Sequence, residues 1–299
     1  MADKYKDIRD DEFRIIGQSF YAPGDEPEAS MDSDAARRKG VSIISALIVI
    51  IIGILAIIFW PKKAPETTEE GLFEEIPASV IPEVRSPLGV ETDASFTQKI
   101  DAIINDIPLT ILIPHNATPE LCLQSPSIND KNIILAAQAA DIRKDNKKIV
   151  GAFVLNGSPL AWGLSKKGYC GIIDGEVTIG VADNSPLFEK ATETNGYFFR
   201  QYPLVDNGTL VENEPKNKAH RKALCDRDGE IFIVKSETPE SFHDFAQALV
   251  DLGVNNAIYL VGSTSYGFSR GEDGAVEEFS DLRISKYKYE SYILWKKNN

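Results

Sequence analysis

Twenty-one consecutive residues, Gly40 to Trp60 (GVSIISALIVIIIGILAIIFW), carry no charge and no proline. As a helix rising about 1.5 Å per residue, the run would span roughly 30 Å, the hydrocarbon core of a bilayer. A helix on the surface of a water-soluble domain keeps a polar face, and this run has none. Trp60 falls where an indole prefers to sit, at the membrane–water boundary. The reading is a single transmembrane signal anchor over 40–60. Arg37, Arg38 and Lys39 precede it and Lys62 and Lys63 follow, so the positive-inside rule places the N-terminus in the cytoplasm and the rest in the periplasm or outside the cell.

Around that span the composition divides the chain. Residues 1–39 are polar and charged, as in a disordered cytoplasmic tail. Within them Asp11–Phe20 (DEFRIIGQSF) is an apolar patch suited to docking a protein partner. Residues 61–93 are rich in proline and acids, a composition that extends a chain without building a core, and read as a stalk. Residues 94–299 remain for one external domain with a well-buried core. The formal charge of −13, from 45 acidic and 32 basic residues, argues against nucleic acid as a partner. Cys122, Cys170 and Cys225 cannot all pair within one chain, and neither they nor the three histidines show metal-ligand spacing. No metal and no cofactor are expected.

Within the external domain, Ser95–Asp106 shows apolar residues at helical spacing (Phe96, Ile100, Ile103, Ile104) and predicts a helix. Extended runs follow at 108–114, 132–142 and 148–157. Cys170–Ala182 reads as a hairpin about Asp174-Gly175. Ile231–Val234 is a continuous apolar strand, as expected when both faces are covered. Next comes a helix capped at Thr238, with an apolar stripe of Phe242, Phe245, Ala246, Leu249 and Leu252 ended by Gly253. Ala257–Val261 forms another strand, and the three together predict a βαβ crossover with parallel pairing. The expected fold class is α+β or α/β: a mixed β-sheet with flanking helices, including one C-terminal βαβ unit, preceded by the transmembrane helix.

Three clusters carry chemistry. GSTSYGF (Gly262–Phe268) follows the last strand of the βαβ unit, where ligands of such sheets bind. Its glycines permit turns, while Ser263, Thr264 and Ser265 offer hydroxyls and backbone N–H groups for an anion. TNGYFFRQYPLVDNG (Thr194–Gly208) places Tyr197, Phe198 and Phe199 in succession after an Asn195-Gly196 turn, a platform on which a sugar ring can stack. PKNKAHRKALCDRDG (Pro215–Gly229) concentrates Lys216, Lys218, His220, Arg221 and Lys222 in an acidic chain, where Arg221 can grip a phosphate.

Taken in order, TNGYFF, HRKALC and AIYLVGSTSYGF resemble the phosphodiester glycosidase family, relatives of N-acetylglucosamine-1-phosphodiester alpha-N-acetylglucosaminidase, with this chain as a divergent bacterial member. The resemblance covers roughly Lys148 to Arg270. It implies a substrate pocket lined by Asn195, Gly196, Tyr197, Arg221, Gly262, Ser263, Thr264 and Tyr266, and a glycan or sugar-phosphate ligand. Tyr197 stands at a family glycine, and Val261 stands where the family has an acid. Glycoside cleavage uses a proton donor and a carboxylate, so His220, Asp226 and Glu193 are the catalytic candidates, with Asp206 a further acid. Two functions follow: hydrolysis of glycosyl phosphodiesters or envelope polysaccharide, or non-catalytic glycan binding or scaffolding in the cell envelope.

Overall fold

Two-residue turns govern the architecture. A type I′ hairpin turn needs positive φ at both central residues, which Asn, Asp and Gly tolerate. Among the described residues five connections meet this condition: Asn105-Asp106, Asn156-Gly157, Asp174-Gly175, Asn207-Gly208 and Asp228-Gly229, with φ between 46° and 88°. Each folds the chain straight back on itself, so neighbouring strands pair antiparallel. The computed structural model describes residues 87–263, 265–279 and 287–298.

These residues form seventeen strands and two short helices. A seven-stranded sheet runs in the order β1 (Phe96–Ile104), β2 (Ile107–His115), β13 (Glu230–Ser236), β12 (Lys222–Arg227), β14 (Asn256–Leu260), β10 (Pro203–Asp206) and β11 (Thr209–Leu210). A second sheet holds β16 (Val276–Glu278), β15 (Gly267–Arg270), β4 (Ile133–Gln138), β17 (Ser291–Lys297) and β3 (Ala117–Leu123). The third holds β6 (Ser158–Trp162), β5 (Ala152–Leu155), β9 (Tyr197–Gln201), β7 (Gly168–Ile173) and β8 (Glu176–Val181). Helix α1 spans Leu187–Glu193 and α2 spans Phe242–Asp251.

One core is shared by all three sheets: Leu112, Leu224, Ile233 and Ile258 from the first meet Leu135, Ile293 and Trp295 from the second and Phe153, Cys170 and Phe199 from the third. The opposite face of the seven-stranded sheet is covered by α2 through Phe242, Phe245, Ala246 and Leu249, packed on Ala223, Cys225, Phe232 and Val234. Cys170 and Cys225 are buried free thiols and Cys122 is a half-buried one. Burial raises all three pKa values, that of Cys122 to about 12, so they behave as inert apolar side chains.

The α+β or α/β expectation is therefore corrected to a predominantly β fold, because the described residues form seventeen strands against two short helices and every strand pairing among them is antiparallel. In the expected βαβ unit, β13, α2 and β14 all form, but β12 lies between the two strands and bonds to both. The Asp228-Gly229 turn makes β12 and β13 a hairpin, and that hairpin fills the edge a parallel β14 would need. Helix α2 also begins later than expected. Its cap is Ser241, whose hydroxyl accepts the Asp244 N–H.

The expected helix at 95–106 is strand β1. Burial alternates along it, leaving Ile103 74% exposed while Ile100, Ala102 and Ile104 turn toward the α2 side. Period two wins because β2 offers a full-length partner, pairing all nine residues from Phe96↔His115 to Ile104↔Ile107.

The tail, the Gly40–Trp60 span and the stalk up to residue 86 lie outside the described residues. Among the described residues no helix is long and apolar enough to cross a membrane, so they lend the transmembrane helix no support.

Candidate functional site

Strands β12 and β14 lie side by side with Lys222 opposite Leu260, so the segment entering β12 meets the loop leaving β14. The Ser263 N–H donates to the His220 carbonyl at 2.8 Å, and the Gly262 N–H donates to the Tyr259 hydroxyl at 2.9 Å. Gly262 is required here. A Cβ at this position would stand 2.5 Å from the His220 carbonyl oxygen and 2.6 Å from the Tyr259 hydroxyl. Two of the three sequence clusters are thus joined at one strand end, with the His220 and Ser263 side chains exposed on its rim.

Arg221 is 3% exposed, and its guanidinium is engaged inside the protein. Nε donates to the Glu240 carbonyl at 2.9 Å, and a terminal nitrogen donates to the Asn217 carbonyl. The plane lies 4.1 Å from the centre of the Phe242 ring. This geometry ties the 217–221 segment to the start of α2. The loop donors are similarly occupied: besides Gly262 and Ser263, the Ser265 N–H bonds the Gly262 carbonyl at 3.2 Å. Thr264 lies outside the described residues. Tyr266 is 3% exposed and packs with Phe268 and Tyr292 in a satellite core.

The aromatic cluster is placed elsewhere. Asn195 (φ 53°) and Gly196 join α1 to β9, and the Gly196 carbonyl accepts the Gly157 N–H of the β5–β6 turn. Gly196 permits close packing: a Cβ would stand 2.7 Å from the Ile172 carbonyl oxygen and 3.2 Å from Ala191 Cα. Tyr197 is half-buried near Glu120 and Lys296, and burial raises its pKa. Phe198 and Phe199 are both wholly buried, on opposite faces of β9 in different cores. A strand between two apolar layers hides consecutive aromatics, so no stacking platform forms from them. Among the described residues no hydrogen bond, ion pair or ring contact joins Thr194–Tyr197 to His220, Arg221 or Gly262–Ser263.

The acids are also dispersed. Glu193 is exposed at the last residue of α1. Asp226 lies four residues along β12 from Lys222, about 13 Å away, and accepts the Gly229 N–H of the hairpin turn at 2.9 Å. Asp206 accepts the Asn207 amide at 3.0 Å, at the β10–β11 turn. His220 Nδ1 stands 3.4 Å from the Ser236 carbonyl oxygen.

Sequence reasoning reached one residue of this strand end only as part of a positive patch. Lys222 turns to the opposite face from Arg221 and is 3% exposed. Its ammonium lies 2.6 Å from Ser265 Oγ and 3.0 Å from the Ser265 carbonyl oxygen. Burial, with a smaller contribution from nearby Lys235, lowers its pKa to about 7. The available signal was a lysine alternating with Leu224 on the core face of a strand apolar on both sides.

No family model and no curated protein matches the chain. Among solved structures it is similar to the zebrafish N-acetylglucosamine-1-phosphodiester alpha-N-acetylglucosaminidase catalytic domain, auto-inhibited by its pro-peptide. Identity there is 11%, over 69% of this chain and 83% of that one, with a TM-score of 0.49. It is also similar to a hypothetical protein from Synechocystis, at 14% identity over 67% of this chain and 62% of that one, with a TM-score of 0.46. These likenesses are of backbone and carry no residue roles across.

Proposed function

We propose that the domain is a phosphodiester glycosidase-like protein that binds a glycan or sugar phosphate at the β12–β14 strand end without cleaving it. The engagement of Arg221 supports this reading. A guanidinium bonded to two backbone carbonyls and stacked on Phe242 is not presented to a ligand phosphate, and withdrawing it would give up both of those hydrogen bonds. The catalytic candidates also fail to converge: Glu193 and Asp226 sit at other strand and helix ends, so cleavage through an acid pair has no geometry among them. The exposed His220 and Ser263 side chains remain as the contact groups for a sugar.

Hydrolysis keeps one observation in its favour. The Lys222 amine, with a pKa of about 7, stands 2.6 Å from the Ser265 hydroxyl, whose proton goes to the Val261 carbonyl; turned toward the amine instead, that proton would set a base beside a nucleophile. The test is to incubate the full chain with a chromogenic sugar phosphodiester, beside His220→Ala, Ser265→Ala and Lys222→Met variants checked for folding by circular dichroism. Binding without release, weakened by His220→Ala, is the expected outcome. Release that disappears in Ser265→Ala and Lys222→Met would replace it with the hydrolytic reading.

A further inference from the structure

Antiparallel register sets Asp101, Thr110, Lys235 and Lys222 directly opposite one another across β1, β2, β13 and β12. Directly opposite residues share a face, so these four form a polar row on the side that elsewhere carries the shared core. The row is closed at Lys222 and open at Asp101. At the open end lies a groove of about 520 Å³, bordered by Lys99, Asp101, Thr110, Lys235, Glu237 and Glu277. That volume falls within the roughly 300–1,000 Å³ of small-molecule sites.

The groove floor is held in place. Thr110, 1% exposed, has its hydroxyl 2.9 Å from Asp101 Oδ1 and 2.7 Å from Glu237 Oε1. Carboxylates from the two elements flanking β2 thus approach one hydroxyl, whose single proton can be donated to either of them. Each ammonium is in turn matched: Lys235 to Glu237 at 2.5 Å and Lys99 to Glu277 at 2.9 Å. Against the opposing effect of burial, the hydrogen bonds from Lys235 and Thr110 lower the Glu237 pKa. Ile103, 74% exposed, stands at the mouth of the groove.

We propose that this groove binds a neutral polyhydroxylated ligand, a sugar ring without phosphate. Three carboxylates against two ammonium groups leave no surplus positive charge for an anion. Acceptors and donors stand side by side, and a pair of neighbouring sugar hydroxyls, each both donor and acceptor, matches that pattern. The apolar Ile103 side chain offers a surface for the C–H face of the ring. The site is separate from the His220–Ser263 rim, neither residue of which borders the groove, and it stands whether or not that rim binds ligand.

The experiment follows the Ile103 methyl resonance by NMR in the full chain, labelled at isoleucine methyl groups. The probes are N-acetylglucosamine, cellobiose and maltose, with inorganic phosphate and spermidine as charged comparisons. A saturable shift with at least one neutral sugar, weakened roughly tenfold in Asp101→Asn and in Glu237→Gln and unchanged in His220→Ala, is the expected result. Asp101 is exposed, so its variant keeps the fold. No shift with any of the three sugars, or a shift with phosphate or spermidine in their place, would overturn the proposal. Loss of diester binding in His220→Ala with the groove response intact would bear on the rim alone.

Discussion

The ammonium of Lys222 lies 2.6 Å from the hydroxyl of Ser265, and among the described residues no carboxylate forms an ion pair with it. The buried ammonium is held by the two Ser265 oxygens, with the Phe279 ring centre 5.7 Å away and a second lysine, Lys235, directly across the strand pair.

Its titration should be visible in the stability of the protein. In the folded chain Lys222 loses its proton near pH 7, whereas its ordinary value is 10.5. Between those values the unfolded chain holds more protons, so stability climbs with pH through that window, and below about 7 the full penalty applies. The shift corresponds to at most about 5 kcal/mol. Lys222→Met removes the penalty and leaves a chain of similar length, so its gain in Tm should be larger at pH 6 than at pH 10. Equal gains at both pH values would contradict the assignment.

Arg221→Lys should destabilise the protein by about 2–4 kcal/mol, close to the effect of Arg221→Met. A lysine cannot reach the Glu240 and Asn217 carbonyls together with a planar fork, nor stack on Phe242 in the same way. Urea denaturation measures both. A Lys variant as stable as the parent would show that the guanidinium geometry is immaterial.

Gly196→Ala should cost about 1–3 kcal/mol, the scale of overpacking a filled site. The added methyl would press on the Ile172 carbonyl, Ile173 and Ala191 between α1 and β7. If thermal unfolding is unchanged, the glycine is not there for packing.

Ile103→Thr should change stability by less than about 0.5 kcal/mol, and Ile100→Thr by clearly more. Both belong to β1, but Ile103 faces solvent and Ile100 packs on the core beneath α2. On a helix the two side chains would share a face and respond alike, so the contrast in denaturation midpoints separates the two backbones.

Much of the local structure could be read from the chain. The Asp174-Gly175 hairpin, the apolar strands at β2, β4, β5, β13 and β14, and the apolar stripe of α2 are each set by residues within a few positions of one another. The same signal was present at Asn156-Gly157, Asn207-Gly208 and Asp228-Gly229, and reading it there would have put a hairpin partner beside β13. In β1, helical and alternating spacing of the same isoleucines competed, and only the presence of β2 decided between them. At the candidate site, the Gly262–Ser263 turn meets the His220 carbonyl because β12 and β14 are neighbours. Arg221 was not presented, because the identity of its partners (Glu240, Asn217, Phe242) depends on how α2 docks.

By itself, the sequence determined where the backbone turns and which runs are extended or helical, since dihedral preference and side-chain spacing act between near neighbours. Tertiary structure alone decided that β12 lies between β13 and β14, that Phe198 and Phe199 vanish into separate cores, and that Arg221 docks on Phe242 while Lys222 meets Ser265. Those outcomes depend on which distant surfaces cover each face of a strand, and the energy of burial is settled only when all three sheets have met.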